Sequence, residues 1–276
     1  MPTVPQADAD LDRWLALARW AGGHATALFL ATLVLLVATT LALRWAAHRV
    51  GLHVAARDRP TALPMVARLV AGAVVVLGAG TLFATLVDEL ADRVALGRVD
   101  DAFTAALLSH VPLETIRLFA VVTRLGDPAW LAVLVVAVAI ALVAARRFAL
   151  ALGWLAATAG NGLLNLALKE IFARARPLHA DGLVQAGGYS FPSGHSSGSL
   201  VVYGMLAYVA LQVLPPRWHA AVLTLAVALA FTIGSSRAFL RVHHASDVLA
   251  GFATGSLWLA ACIASVELAR WSRIRT

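Results

Sequence analysis

Charge is scarce in this chain: 13% of its 276 residues are Asp, Glu, Lys or Arg, and mean hydropathy is +0.81. Soluble globular domains carry about 25% charged residues, so the composition excludes a soluble all-α protein. Cysteine is scarcer still. Cys262 is the only one, which rules out an intramolecular disulfide, and its place inside an apolar run reads as a packed thiol rather than a reactive one. Lysine is equally rare, with Lys169 alone among 22 basic residues. Residues 1–23 lack the basic start and cleavage site of a secretory signal. No repeat, low-complexity run or interdomain linker interrupts the sequence.

What is present is apolar sequence in long pieces. Uncharged, histidine-free windows cover 25–43, 69–87, 128–145, 148–168, 196–216, 220–236 and 248–266. Each is near the length of about 17–25 residues that a bilayer-spanning helix needs. The predicted fold class is an all-α polytopic membrane bundle. A net charge of +7 then bears on topology rather than on nucleic acid. Arg44, Arg49, Arg57, Arg59 and Arg68 lie between the first two windows, Arg146 and Arg147 follow the third, Arg217 follows the fifth, and Arg270, Arg273 and Arg275 close the chain. These groups alternate with the windows and mark one side, the cytoplasm. Residues 88–127 lie opposite, with seven acids against four arginines. Asp8, Asp10 and Asp12 agree with an outer N-terminus, and the C-terminus is expected in the cytoplasm. Trp20, Trp45, Trp130, Trp218 and Trp271 stand near window ends, as interfacial aromatics do.

Leu11, Trp14, Leu15 and Ala18 share one helical face, so the N-terminal segment reads either as a short interfacial helix or as a frayed tail. Gly72, Gly78 and Gly80 offer close helix approach in the second window. In 100–125, Ala102, Phe103, Ala106 and Leu107, then Ile116, Phe119, Ala120 and Thr123, recur at helical spacing and predict one or two interfacial helices. Asp100 and Asp101 read as a helix start favoured by the dipole rather than as paired catalytic carboxylates.

Three clusters carry chemistry. Pro192-Ser193-Gly194-His195 opens the fifth window: Ser193 suits an N-cap, Gly194 admits a ligand to the backbone, and the first turn offers free N–H groups to an anion. Lys169 and Arg176 end the fourth window seven residues apart, which on a continuous helix puts both on one face. They could equally be snorkelling interfacial cations. Arg237 ends the sixth window, and His243 and Asp247 follow four residues apart, so that a carboxylate in the opening turn of the last helix can accept one imidazole N–H and leave the other nitrogen nucleophilic. His244, three from Asp247, is a rival for that partner. Too few ligands gather there for a metal, and none is expected, nor any cofactor. The window count puts all three clusters on the outer face. Three cations, a helix N-terminus and two histidines suit a dianionic phosphoryl group and its transfer.

Lys-x6-Arg-Pro, Pro-Ser-Gly-His and Ser-Arg-x5-His-x3-Asp, in this order, resemble the type 2 phosphatidic acid phosphatase superfamily over roughly residues 100–267. The resemblance implies its integral-membrane lipid phosphatase branch. It makes His243 the nucleophile that forms a phosphohistidine, Asp247 its orienting carboxylate and His195 the acid for the leaving group. Lys169, Arg176, Ser193, Gly194 and Arg237 would hold the phosphoryl oxygens. That branch typically has six crossings, so residues 1–64 read as a tail, an extra transmembrane helix and a cytoplasmic loop, and 65–276 as the phosphatase domain. The expected function is hydrolysis of lipid phosphates or diphosphates at the outer face of the cytoplasmic membrane. Alternatives are an undecaprenyl-diphosphate phosphatase, a lipid phosphotransferase or, in another class, a lipid transporter that binds headgroups without turnover. Partners are the bilayer and a lipid phosphate, with no nucleic acid.

Overall fold

A computed structural model describes residues 4–49, 62–91, 93–177, 184 and 186–275. Arg57 and Arg59 lie outside the described residues, as do the side chains of Asp8, Arg68, Trp271, Arg273 and Arg275. The described residues form ten α-helices and two 3-10 turns, with no strand among them. The helices are α1 Val4–Gly23, α2 Ala25–Arg49, α3 Ala62–Ala91, α4 Arg93–His110, α5 Leu113–Val122, α6 Pro128–Ala144, α7 Phe148–Phe172, α8 Gly194–Val213, α9 His219–Phe239 and α10 Ala245–Arg275. The expected all-α multi-pass membrane architecture is the one observed.

Six helices are long and apolar enough to cross a bilayer: α2, Val70–Leu90 of α3, α7, α8, α9 with the turn before it, and Ala245–Arg270 of α10. α6, at 17 residues, is shorter, yet its ends show that it runs the length of the bundle. Asp127 at its start reaches His195 in the first turn of α8, and Arg147 beyond its end donates to the Gln212 carbonyl at the far end of α8 (3.2 Å). The hairpin into α7 turns at Arg146, in the left-handed region with φ 56°. α4 and the stretch from α5 through Gly126 are bent by 114° to each other, in the region where one or two interfacial helices are expected.

The core sits among α6, α7, α8 and α10 around Trp154, Val201 and Met205, all fully buried. Trp154 Nε1 donates to the Val135 carbonyl (2.9 Å), and Trp258 Nε1 to that of Ala157 (2.8 Å). Small residues let α10 lie hard against α8. A Cβ on Gly251 would stand 2.5 Å from the Ser193 carbonyl oxygen, and one on Gly255 3.0 Å from Ser197 Cα. By contrast, Gly72 and Gly78 meet nothing within 4 Å and Gly80 meets Leu257 only at 3.9 Å, so the close approach expected along the second window is made on α10 instead.

The N-terminal segment is helical and packs on α4 through Leu15 and Ala18, while Trp14 on the same stretch is exposed. α2 docks on α9: Phe29 stacks on Phe231 (5.4 Å) and meets Phe119 and Phe239 edge-on, and Arg44 Nη2 lies 3.4 Å from His219 Nδ1 at the opposite end. That opposite end also collects Arg270, which donates to Gln212 Oε1 (2.7 Å), and Arg147. Of the basic residues that alternate in the sequence, Arg44, Arg147 and Arg270 therefore lie at the end of the bundle away from the three motif clusters.

Candidate active site

The C-terminal end of α7, the N-terminus of α8, the C-terminus of α9 and the N-terminus of α10 meet at one end of the bundle. Lys169 is on the last turn of α7. Arg176 is not on that helix, contrary to the two-turn spacing argument: Ala173 caps α7 in the left-handed conformation (φ 43°) and the helix ends there. The two cations converge through a loop carbonyl instead, since Lys169 Nζ and Arg176 Nη2 both donate to Tyr189 O. Arg176 also donates from Nε to Gly188 O (3.0 Å), from Nη2 to Gly187 O (2.8 Å) and from Nη1 to Val242 O (2.7 Å).

Ser193 is the N-cap of α8 as expected, its Oγ accepting from the Ser196 N–H (3.4 Å), and it is fully buried. Its own N–H donates to the Asp247 carbonyl (2.9 Å), which fastens the start of α8 to α10. Glycine at 194 leaves room for α7, because a Cβ there would stand 3.1 Å from Asn165 Oδ1.

His243 lies between α9 and α10 and is 3% exposed. Its Nε2 is 3.1 Å from Arg176 Nη1, and its Nδ1 is 3.5 Å from Asp247 Oδ2, at ion-pair distance but without hydrogen-bond geometry. The rivalry with His244 is real: the same Asp247 oxygen accepts from the His244 backbone N–H (2.9 Å) and lies 3.3 Å from its Nδ1. Burial pushes the His243 imidazolium down to about 3, against the pull of Asp247. The ring is therefore neutral, with a lone pair on Nε2. Arg237 is 3% exposed, its Nη1 donates to Thr123 Oγ1 (2.8 Å), and its Nε has no hydrogen-bond partner. His195 Nε2 pairs with Asp127 Oδ1 (3.1 Å). All eight residues singled out in the sequence thus lie at this end of the bundle. Among the described residues, no three His, Cys, Asp or Glu side chains are grouped to hold a metal ion.

Sequence reasoning missed the support around them. Arg174 spans two buried carboxylates, donating from Nη1 to Asp247 Oδ1 (2.6 Å) and from Nη2 to Asp100 Oδ2 (2.7 Å). Burial lowers its affinity for the proton, but the two carboxylates outweigh that and raise its pKa. Asp100 also accepts from the Ser246 backbone N–H (3.1 Å) and hydroxyl (2.5 Å). It does not start a helix: α4 begins at Arg93, and Asp100 is buried mid-helix while Asp101 is exposed. A signal was available, since Asp100 lies seven residues before Leu107 and four before Thr104, on the face that is buried. Nothing in the sequence marked Arg174 apart from its neighbour Arg176.

Residues 150–271 match the PAP2 superfamily. A curated relative, phosphatidylglycerophosphatase B of Bacillus subtilis (strain 168), is 36% identical over 138 residues, covering 49% of this chain and 68% of the relative. A solved structure described as the first transmembrane PAP2 type phosphatidylglycerolphosphate phosphatase from Bacillus subtilis superposes with TM-score 0.62 at 30% identity, over 68% of this chain and 96% of that one. The chain belongs to the PAP2 superfamily, as an enzyme of its membrane lipid phosphatase branch.

Proposed function

We propose that the protein hydrolyses the phosphate monoester of a membrane lipid through a phosphohistidine on His243, at the outer face of the cytoplasmic membrane. One observation carries this reading: the neutral Nε2 of His243 faces Arg176, while its Nδ1 faces a carboxylate buried at the start of α10. A phosphoryl group entering between Arg176 and His243 gains a cation and meets a nucleophile in one position. Nε2 would form the N–P bond as the ester P–O bond breaks, with Asp247 stabilising the charge that develops on the ring. His195 would give its proton to the leaving alkoxide and recover one from the water that then attacks phosphorus. Lys169, Arg176, Arg237 and the N-terminus of α8, with Ser193 and the Gly194 N–H, would hold the phosphoryl oxygens.

The relatives' names make phosphatidylglycerophosphate the first substrate to assay. We assign residues 65–276 to the phosphatase domain and 1–64 to an addition; the near-complete coverage of the solved relative by 68% of this chain supports that division. The gathering of Arg44, Arg147 and Arg270 away from the site supports an outer active face, an outer N-terminus and a cytoplasmic C-terminus.

Purified protein should release inorganic phosphate from phosphatidylglycerophosphate in the presence of EDTA, and His243→Ala should abolish release. Full activity in that variant rejects the mechanism. Transport of lipid without release rejects the enzyme.

A further inference from the structure

The 3-10 turn Thr123–Gly126 and the residue after it belong to none of the three motif clusters and precede the span that matches the family. Yet this turn touches the site twice. Thr123 is buried and accepts from Arg237, and Asp127 accepts from His195. The turn is itself held in place: Tyr203 Oη donates to the Leu125 carbonyl (2.8 Å) and receives Trp130 Nε1 (3.2 Å). Gly126 is cut to fit the histidine ring, because a Cβ there would stand 2.9 Å from His195 Cδ2 and 2.3 Å from Ile233 Cγ2.

Asp127 occupies the N-cap of α6, where an aspartate side chain ordinarily accepts from the N–H groups of the first turn. Here it makes no such bond. Its carboxylate reaches across to α8 instead, 3.1 Å from His195 Nε2, and its side chain is 45% exposed while the histidine is 14% exposed. An ionised carboxylate can only accept, so Nε2 carries the proton in this pair.

We propose that Asp127 is the positioning residue of His195: it fixes the ring orientation and tautomer through Nε2 and presents Nδ1 to the oxygen that leaves phosphorus. This rests on the reading of His195 as the leaving-group acid. In the imidazolium, Nε2–H stays on Asp127 while the Nδ1 proton passes to the ester oxygen as the P–O bond breaks. Nδ1 is reprotonated by the water that attacks the phosphohistidine. The segment 123–127 is then a fourth component of the site, aligning an anion-binding arginine and the acid from one rigid turn.

The test compares kcat/KM on an alkyl phosphate, whose leaving oxygen needs a proton, with that on p-nitrophenyl phosphate, whose leaving oxygen needs little help. Asp127→Asn and Asp127→Ser, the latter able to cap α6, should each lose at least about tenfold more on the alkyl than on the aryl substrate, a fraction of the general-acid effect. Asp127→Glu should recover part of that ratio. General loosening of the fold lowers both substrates alike. An unchanged ratio in the Asp127 variants beside an altered ratio in His195→Ala overturns the inference alone. A ratio that His195→Ala also leaves unchanged overturns the acid assignment on which it rests.

Discussion

At His243 two demands meet. The proposed nucleophile must be neutral, and it must be held without being used up as a donor to its surroundings. Burial meets the first by keeping the imidazolium at about 3. An unfolded histidine titrates near 6.5, so between pH 6.5 and 3 the unfolded chain binds a proton that the folded chain refuses. Stability therefore falls as the medium is acidified below about 6.5, by up to about 1.4 kcal/mol per pH unit from this group. Thermal unfolding in detergent should lose more between pH 7 and 5 in the wild type than in His243→Gln. The second demand falls on Asp247, and through it on Arg174. Arg174→Met leaves two buried carboxylates without their cation, a change that costs about 3–5 kcal/mol when a buried pair is broken. Its melting temperature and turnover should both drop. Arg174→Lys should recover only part, because one ammonium cannot serve two carboxylates in the fixed fork of a guanidinium.

The elements show why the site forms where it does. α10 is brought onto the start of α8 by Gly251, one turn after Asp247, so packing and the proposed catalytic geometry depend on the same contact. Gly251→Ala should be overpacked by about 1–3 kcal/mol and lose activity as Asp247 shifts. Gly78→Ala on α3, facing open space, should be neutral or slightly stabilising in the same melting assay. The helices themselves were legible in the sequence, because a crossing helix must be apolar all round and windows such as 148–168 announce it. Local chemistry was legible as well. Ser193 caps α8 by the rule for its residue type, and the spacing of His243 and Asp247 suits an acid in the first turn of α10. What could not be read were partnerships across the chain. Asp127 to His195, Asp100 to Arg174 and Thr123 to Arg237 join residues far apart in sequence, and no local period encodes them. The face-sharing argument for Lys169 and Arg176 failed for a related reason: Ala173 ends the helix in a conformation that alanine does not advertise.

Across the whole molecule, α1 and α2 are fitted closely to the rest of the bundle. Ala25 and Phe29 of α2 join Leu107, Phe119, Phe239 and Val242 in one apolar cluster, which backs the chain that carries His243. α1 lies on α4, whose Asp100 grips Arg174, so α1 and α2 each bear on the site through one intermediate. The opposite end of the bundle carries Arg44, Arg147 and Arg270, bonded to His219 and Gln212. α6 has 17 residues, about 25 Å at the rise of an α-helix, against a hydrocarbon layer of about 30 Å. Asp127 stands at its upper end, so a thick bilayer would draw that carboxylate and its histidine below the headgroups, while a thin one leaves them at the level of the lipid phosphates. Turnover in vesicles should therefore rise as the acyl chains of the host lipid shorten, at constant headgroup and substrate. The expected rate is thereby tied to bilayer thickness through the length of one helix.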